Sequence, residues 1–339
     1  MRTRLCHRLG LELPIVQAPM GGASCPALAA AVSNAGGLGM LALSWSDAAS
    51  LRREIRETRA LTDRPFGVNL VLAWRQDERL AICLEEGVRI VSFFWGDPAA
   101  LSPSVQAVGG VVLHTVASAA QAKASVAAGS DIIVAQGWEA GGHVLGEVAT
   151  LPLVRAVVAA VGPAPVLAAG GIVDGQGLAA ALALGAAGVW IGTRFLASAE
   201  ANIHPTYRAR LLAAGETDTA HTGLFDLGWP GAPHRVLRNP TLDAWAAAGR
   251  PASGRRPGEG EVVAQGALGP IVRYASATPT AEVTGAVEVM SLWAGQGVGQ
   301  IHEVRLAGEI VRDVADAALR GAAGLFPTPD AAEAFGCSA

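Results

Sequence analysis

Charge is scarce in this sequence. Asp, Glu, Lys and Arg make up 16% of its 339 residues, and 25 basic against 29 acidic residues leave a formal net charge of −4. That balance supplies no basic footprint for nucleic acid, and no basic stripe interleaved with aromatics runs along the chain. Nucleic acid is therefore not an expected partner. Cysteine is scarce and scattered: Cys6, Cys25, Cys83 and Cys337 form no C-x-x-C pair and no other metal-ligand spacing. Neither a metal site nor a disulfide framework is expected, and the four read as reduced thiols. P-loop, HExxH and GxSxG motifs are missing as well. Gly36-Gly-Leu-Gly lacks the GxGxxG spacing, and Gly295-Gln-Gly-Val-Gly follows a helical pattern rather than a strand, so a separate dinucleotide domain is not expected. Cys25 has no positioned base and reads as a helix-start residue before Pro26, not as a nucleophile.

What the chain has in abundance is apolarity. Hydrophobic residues reach 51%, the mean hydropathy is +0.36, and residues 13–46 carry no charge at all. Pro14, Pro19, Pro26, Gly21, Gly22, Gly36, Gly37 and Gly39 interrupt that stretch. One continuous spanning helix of about 20 apolar residues is excluded. Buried parallel strands with Ala-rich helices account for the apolarity instead. The start of the chain shows no apolar signal core or cleavage site, so the cytoplasm is the expected compartment.

Short apolar runs alternate with helical patterns from residue 15 to about residue 198. Strands are expected at 15–20, 39–43, 66–72, 90–95, 111–116, 132–136, 166–169 and 189–191. Helices are expected at 26–35, 48–59, 78–86, 117–128, 151–161 and 177–184. Alternation implies a parallel sheet, and eight strands suggest a closed (β/α)8 TIM barrel. The rhythm stops after Ala199. Residues 200–300 read as an inserted, mainly helical lid or substrate domain, with helices at 204–214 and 282–293, and the helix at 311–324 returns to the barrel. The expected division is thus 10–199 plus 301–325 for the barrel and 200–300 for the lid.

In such a barrel the site forms at the carboxyl ends of the strands. Polar and glycine-rich residues there matter most. The first strand ends Gln17-Ala-Pro-Met-Gly-Gly, where paired glycines admit a ligand to the backbone or simply form a tight turn. Asn69 is a carboxamide within an apolar strand and needs partners, from the backbone or from a planar heterocycle. The sixth strand delivers Gln136, Glu139 and His143 among Gly137, Gly141 and Gly142, and histidine suits proton transfer near neutrality. Gly170, Gly171, Gly192 and Thr193 follow the seventh and eighth strands, where barrel phosphate sites commonly form. Asp174 reads as the cap of the next helix.

Taken together, QAPMGG (17–22), SNAGGLG (33–39), FGVNL (66–70), AQGWEAGGH (135–143), AAGGI (168–172), GTRF (192–195), FDLGWPGAPHRVLRN (225–239) and AGQGVG (294–299) resemble the nitronate monooxygenase (2-nitropropane dioxygenase) family. The resemblance implies FMN on a (β/α)8 barrel. Ala18, Pro19 and Met20 would line the flavin, and Asn69 and Gln136 would hydrogen-bond it, with Thr115 and Gly141 as further flavin residues. Gly170, Gly171, Gly192 and Thr193 would hold its phosphate, and Trp293 and Gln296 would face it. His143 stands at the family's catalytic histidine. Cys25 stands where a Thr-like helix cap is expected, and Trp293 where the family often has Tyr. The implied reaction takes a small alkyl nitronate or nitroalkane and O2 to a carbonyl compound and nitrite. FMN-dependent NAD(P)H enoyl-ACP reductases resemble the same segments and give the alternative reading. A flavin- or phosphate-binding protein without activity is the third, and the intact His143 argues against it.

Overall fold

Residues 2–325 are described by the computed structural model. Its centre is a parallel sheet of eight strands: Ile15–Gln17, Gly39–Ala42, Phe66–Val71, Ile90–Phe94, Val111–Val116, Ile132–Gln136, Val166–Ala169 and Gly188–Ile191. The first strand pairs with the eighth. It also meets the second through a parallel bridge, in which Gln17 N–H donates to Leu38 O and Leu38 N–H to Ile15 O, both at 2.9 Å. The sheet closes on itself, and the fold is the (β/α)8 barrel that the alternating pattern expects.

The strands are nearly all buried Val, Ile, Leu and Ala, as strands covered on both faces must be. Asn69 lies between Ala42 and Ser92, Gln136 opposite Ala169, and Ala169 opposite Trp190. The amino end of the barrel is stoppered by a helix the periodicity did not reveal, Arg4–Leu9, whose Leu5, Cys6 and Leu9 pack with Val16, Met40, Leu113 and Ile132. The long helix Ala307–Leu325 packs on helices Gly175–Ala183 and Pro26–Asn34, as expected of a chain returning to the barrel.

Residues 200–300 are not mainly helical. Helices Pro205–Leu212 and Pro240–Ala247 are joined by strands Thr219–Thr222, His234–Leu237, Val262–Gly266, Gly269–Val272 and Thr284–Gly285. The helix expected at 282–293 is absent, because Val283, Thr284, Val287 and Val289 are β-branched and Gly285 sits at φ 113°. A Cβ on Gly285 would come 2.7 Å from Val263 O, so close strand pairing, not helical periodicity, selects glycine there. Ile203, Tyr207, Leu237, Leu292 and Val298 join the same buried cluster as Ile15, Ile133 and Val189 of the barrel.

Cys25 starts its helix without a side-chain cap bond, and its thiol donates to Glu200 O at 3.1 Å. Burial pushes the Cys25 thiol up and Cys83 to about 12, so neither supplies a thiolate at neutral pH. Cys337 lies outside the described residues. Asp174 does cap its helix, accepting from Gly177 N–H at 2.8 Å. Among the described residues no helix is long and apolar enough to cross a membrane, and no metal-binding cluster occurs.

Candidate active site

A cavity of about 470 Å³ opens at the carboxyl ends of the strands. That volume falls within the range of small-molecule and cofactor sites. Its floor is Ala42, Asn69, Thr115, Val134, Gln136, Ala169 and Trp190, one or two side chains from each of several strands. Its walls are the loops. Ala18, Pro19 and Met20 stand on one side, Gly170, Gly171, Gly192 and Thr193 on another, and Gly141 to His143 on a third. Every sequence-predicted cofactor residue except Gln296 therefore reaches one cavity, together with His143. Gln296 does not line it; its N–H donates to Glu139 O at 2.9 Å.

The glycine loops carry backbone donors with nothing to bind. Among the described residues no protein acceptor meets the N–H groups of Gly170, Gly171, Gly192 or Thr193. Unpaired donors converging on one cavity suit an anion, phosphate above all. Gly192 is informative because nothing in the chain demands it: its φ is −104°, and a Cβ would make ordinary contacts, 3.6 Å from Ala18 Cβ and 3.8 Å from Met20 Sδ. A side chain there would fill the cradle. Thr193 Oγ1 accepts from Gly295 N–H at 3.0 Å, which leaves its own proton free to donate. Asn69 Nδ2 donates to Ser92 O and Oγ, both at 3.2 Å. Its carbonyl oxygen remains available to a ring N–H. These donors and acceptors fit a flavin with a phosphate tail.

His143 is held from several sides. Gly142–His143 pairs antiparallel with His234–Leu237, placing Gly142 opposite Arg235 and His143 opposite His234. Gln136 Nε2 donates to His143 O at 3.0 Å, and Gln136 Oε1 accepts from Leu145 N–H at 3.4 Å. The Gln136 carboxamide thus fixes the backbone beneath the histidine. Arg235, 3% exposed, donates from Nε and Nη2 to Trp138 O at 3.3 and 2.9 Å, and its guanidinium lies 5.2 Å from the Trp138 ring centre. Glu139 accepts from Thr150 N–H and Oγ1, both at 2.8 Å, and ties the same loop to the start of helix Thr150–Val161. Gly141 is a packing requirement, since a Cβ would stand 2.4 Å from Gly295 N.

The imidazole itself lies against indoles. Its centre is 4.0 Å from Trp229 at 30° and 5.2 Å from Trp293 at 38°. Its Nε2 is shielded from solvent and has no hydrogen-bond partner. Burial, reinforced by neighbouring His234, pulls the His143 pKa down to about 3. His234 is locked in one tautomer: Nδ1–H donates to Ala232 O at 2.9 Å while Nε2 accepts from Phe225 N–H at 3.2 Å. With both nitrogens engaged it is a structural residue. Sequence reasoning assigns no role to Trp229, His234 or Arg235. The one signal pointing to them is a Trp, a His and two Arg gathered within the Gly/Pro-rich stretch 225–239.

These buried histidines set a pH limit on the fold. Burial lowers His143 to about 3 and both His114 and His234 to about 4. The folded chain keeps them neutral, whereas the unfolded chain protonates them below about pH 6.5. Their contribution is complete above that pH and is lost as pH falls toward the folded values. Each group removes about 1.4 kcal/mol per pH unit inside that window. Urea unfolding at pH 7, 6 and 5 is expected to give a steadily falling midpoint. A midpoint unchanged from pH 7 to 5 would contradict the burial.

A barrel whose glycine loops present unpaired N–H groups to one cavity with a partly buried histidine points to a class: the flavin-dependent barrel oxidoreductases. The sequence profile of nitronate monooxygenase matches residues 2–78 and 71–316, and the chain belongs to that family. It is 40% identical over 295 residues to a nitronate monooxygenase of Pseudomonas aeruginosa, covering 69% of this chain and 84% of that one. It is 41% identical over 245 residues to the (3aS,4S,5R,7aS)-5-hydroxy-7a-methyl-1-oxo-octahydro-1H-indene-4-carboxyl-CoA dehydrogenase of Rhodococcus jostii, covering 72% and 68%. Among solved structures, FabK from Thermotoga maritima superposes with a TM-score of 0.80 at 34% identity, covering 96% of this chain and 98% of that one. The protein is a flavin-dependent oxidoreductase.

Proposed function

We propose that the chain binds FMN and oxidises alkyl nitronates, taking two nitronates and one O2 to two carbonyl compounds and two nitrites. Residues 200–300 act as the substrate lid over the barrel. The observation that carries the reading is the place of His143: it lines the cavity beside Trp229 and Trp293, its Nε2 has no protein partner, and partial burial keeps the ring neutral. When bound, the flavin supplies the electron acceptor and the place where O2 reacts.

The protein's part is binding, orientation and charge. Gly170, Gly171, Gly192 and Thr193 hold the phosphate through their N–H groups, Ala18, Pro19 and Met20 bound the ring, and Asn69 accepts from it. Gly141 keeps the loop tight enough for His143 to overhang the cavity. A nitronate is already an anion. Its arrival favours the imidazolium, so His143 takes up a proton as the substrate binds and hydrogen-bonds a nitronate oxygen. The same histidine is a weak base toward a neutral nitroalkane, because a conjugate acid near 3 gives little driving force for removing a carbon-bound proton. At pH 7, kcat/KM for ethyl nitronate is expected to exceed that for nitroethane by about 10² or more. Equal values for the two forms would show that the histidine is a far stronger base than its burial allows.

A second reading has its own support in the FabK superposition and the CoA-ester relative: NAD(P)H-dependent reduction of an enoyl thioester on the same flavin. An anaerobic mix of the FMN-loaded protein with ethyl nitronate, with NADH in a parallel cuvette, separates the two. Loss of the oxidised-flavin band with nitronate and little with NADH supports nitronate oxidation. Bleaching by NADH, followed by turnover of an acyl thioester, overturns it in favour of the reductase.

A further inference from the structure

We propose that the substrate half of the cavity is a slot for a flat, uncharged ring system, so that the preferred nitronate carries an aryl or fused-ring group instead of a short alkyl chain. The inference rests on the nitronate reading for the reacting group and on an aromatic wall for the rest of the substrate.

Trp229 is the hub of that wall. Its ring centre lies 4.0 Å from His143, 4.8 Å from Trp74, 5.1 Å from Trp95, 6.3 Å from Trp45 and 6.4 Å from Phe94. Trp45, Phe94, Trp229 and Trp293 face the cavity, and Trp74 and Trp95 back them. The rings run without a break from the imidazole to the mouth. There Trp45 is 52% exposed and Leu268, at the tip of the hairpin between Val262–Gly266 and Gly269–Val272, is fully exposed. Apolar side chains left in water around a concave site mark a ligand of the same character.

Room for that ligand lies beside the histidine. A Cβ on Gly142, which lines the cavity, would meet nothing within 4 Å. Charge narrows the class further. No Asp, Glu, Lys or Arg lines the cavity among the described residues. A cationic occupant, the other ligand that aromatic cages take, would find no carboxylate beside it. A short alkyl nitronate would fill the reacting position and leave the ring faces against water. Aromatic faces are satisfied by another ring, offset or edge-on.

The test uses FMN-loaded protein and neutral, unreactive probes, read by indole fluorescence and the visible flavin spectrum. 1-Indanone is expected to bind about tenfold more tightly than cyclopentanone, which has the same carbonyl without the fused aryl ring, and tetramethylammonium is expected to leave both signals unchanged. Trp45→Ala, chosen because the side chain is half exposed and its loss spares the core, is expected to shrink the ketone ratio to about threefold or less. In turnover, the nitronate of phenylnitromethane is expected to exceed ethyl nitronate in kcat/KM by about tenfold, with the advantage reduced in the same variant. Equal binding of the two ketones with equal turnover of the two nitronates overturns the slot and leaves nitronate oxidation standing. Tight, Trp45-dependent binding of 1-indanone with neither nitronate oxidised upholds the slot and removes the nitronate reading. Binding of tetramethylammonium in preference to either ketone overturns the uncharged-ligand assignment.

Discussion

Replacing His143 with alanine is expected to leave flavin binding in place and to lower nitronate turnover by on the order of 10²–10⁴. The two halves of that expectation come from different parts of the cavity. The phosphate cradle we propose is the backbone of Gly170, Gly171, Gly192 and Thr193, on loops that the His143 side chain does not hold. The loop that carries the histidine is fixed by other groups: Arg235 on Trp138 O, Glu139 on Thr150, and Gln136 on His143 O. None of these contacts uses the imidazole. Its loss therefore removes one hydrogen-bonding, proton-accepting ring from the cavity and one face of the stack with Trp229. The measurement is the flavin-to-protein ratio after purification, together with anaerobic single-turnover reduction by nitronate. A variant that keeps its flavin and reduces it at the wild-type rate would remove His143 from the mechanism. One that loses its flavin would place the residue in cofactor binding instead. The same substitution is expected to soften the acid sensitivity of the fold, since one of its three strongly depressed histidines is gone.

The barrel was legible because its signal is repeated. Strands such as 111–116, 132–136 and 166–169 are short apolar runs bounded by glycine, serine or proline, and eight of them in rhythm leave little choice of fold. The glycine loops that line the cavity were legible for a related reason. Glycine pairs at strand ends have few uses, and Gly170 and Gly171 both adopt positive φ, at 109° and 70°. Of residues 200–300 the helix expected at 204–214 is present as Pro205–Leu212, but the strands were not legible. They are two to five residues long, and the pairing that builds the sheet around His143 joins Gly142–His143 to His234–Leu237, about ninety residues away in sequence. Local pattern carries no information about such a partner. Trp229 illustrates the consequence: within the chain it is a Trp in a Gly-Trp-Pro-Gly turn, and only the fold brings it against a histidine, three other indoles and a phenyl ring. Helix 4–9 was hidden by its brevity, and it is defined by packing under the barrel more than by periodicity.

The flavin is expected to be held mainly by its phosphate, so FMN should bind on the order of 10²–10³-fold more tightly than riboflavin. The argument is a comparison of what each half of the ligand meets. The ring half finds apolar walls and a few neutral groups: Ala18, Pro19 and Met20, the Asn69 carbonyl, and Gln136, whose carboxamide already serves the His143 loop. The phosphate half finds four backbone N–H groups without acceptors and a Thr193 hydroxyl with a proton to give. Hydrogen bonds to a charged group contribute roughly 1.5–3 kcal/mol each, about twice a neutral one, and two well-placed bonds suffice for the expected ratio. Because the donors belong to the backbone, most side-chain substitutions cannot remove them. Two can be reached. Thr193→Val deletes the hydroxyl and with it the bond from Gly295 N–H, and is expected to weaken FMN about tenfold while leaving riboflavin nearly unchanged. Gly192→Asp puts a carboxylate into the space a Cβ would enter beside Ala18 and Met20. It is expected to abolish the preference for FMN, since like charges then face each other in a site with no lining cation. Fluorescence titration of flavin-stripped protein with each ligand measures all three ratios. Equal affinity for FMN and riboflavin in the unmodified protein would mean that the unpaired donors of the glycine loops serve water, and that ring contacts alone retain the cofactor.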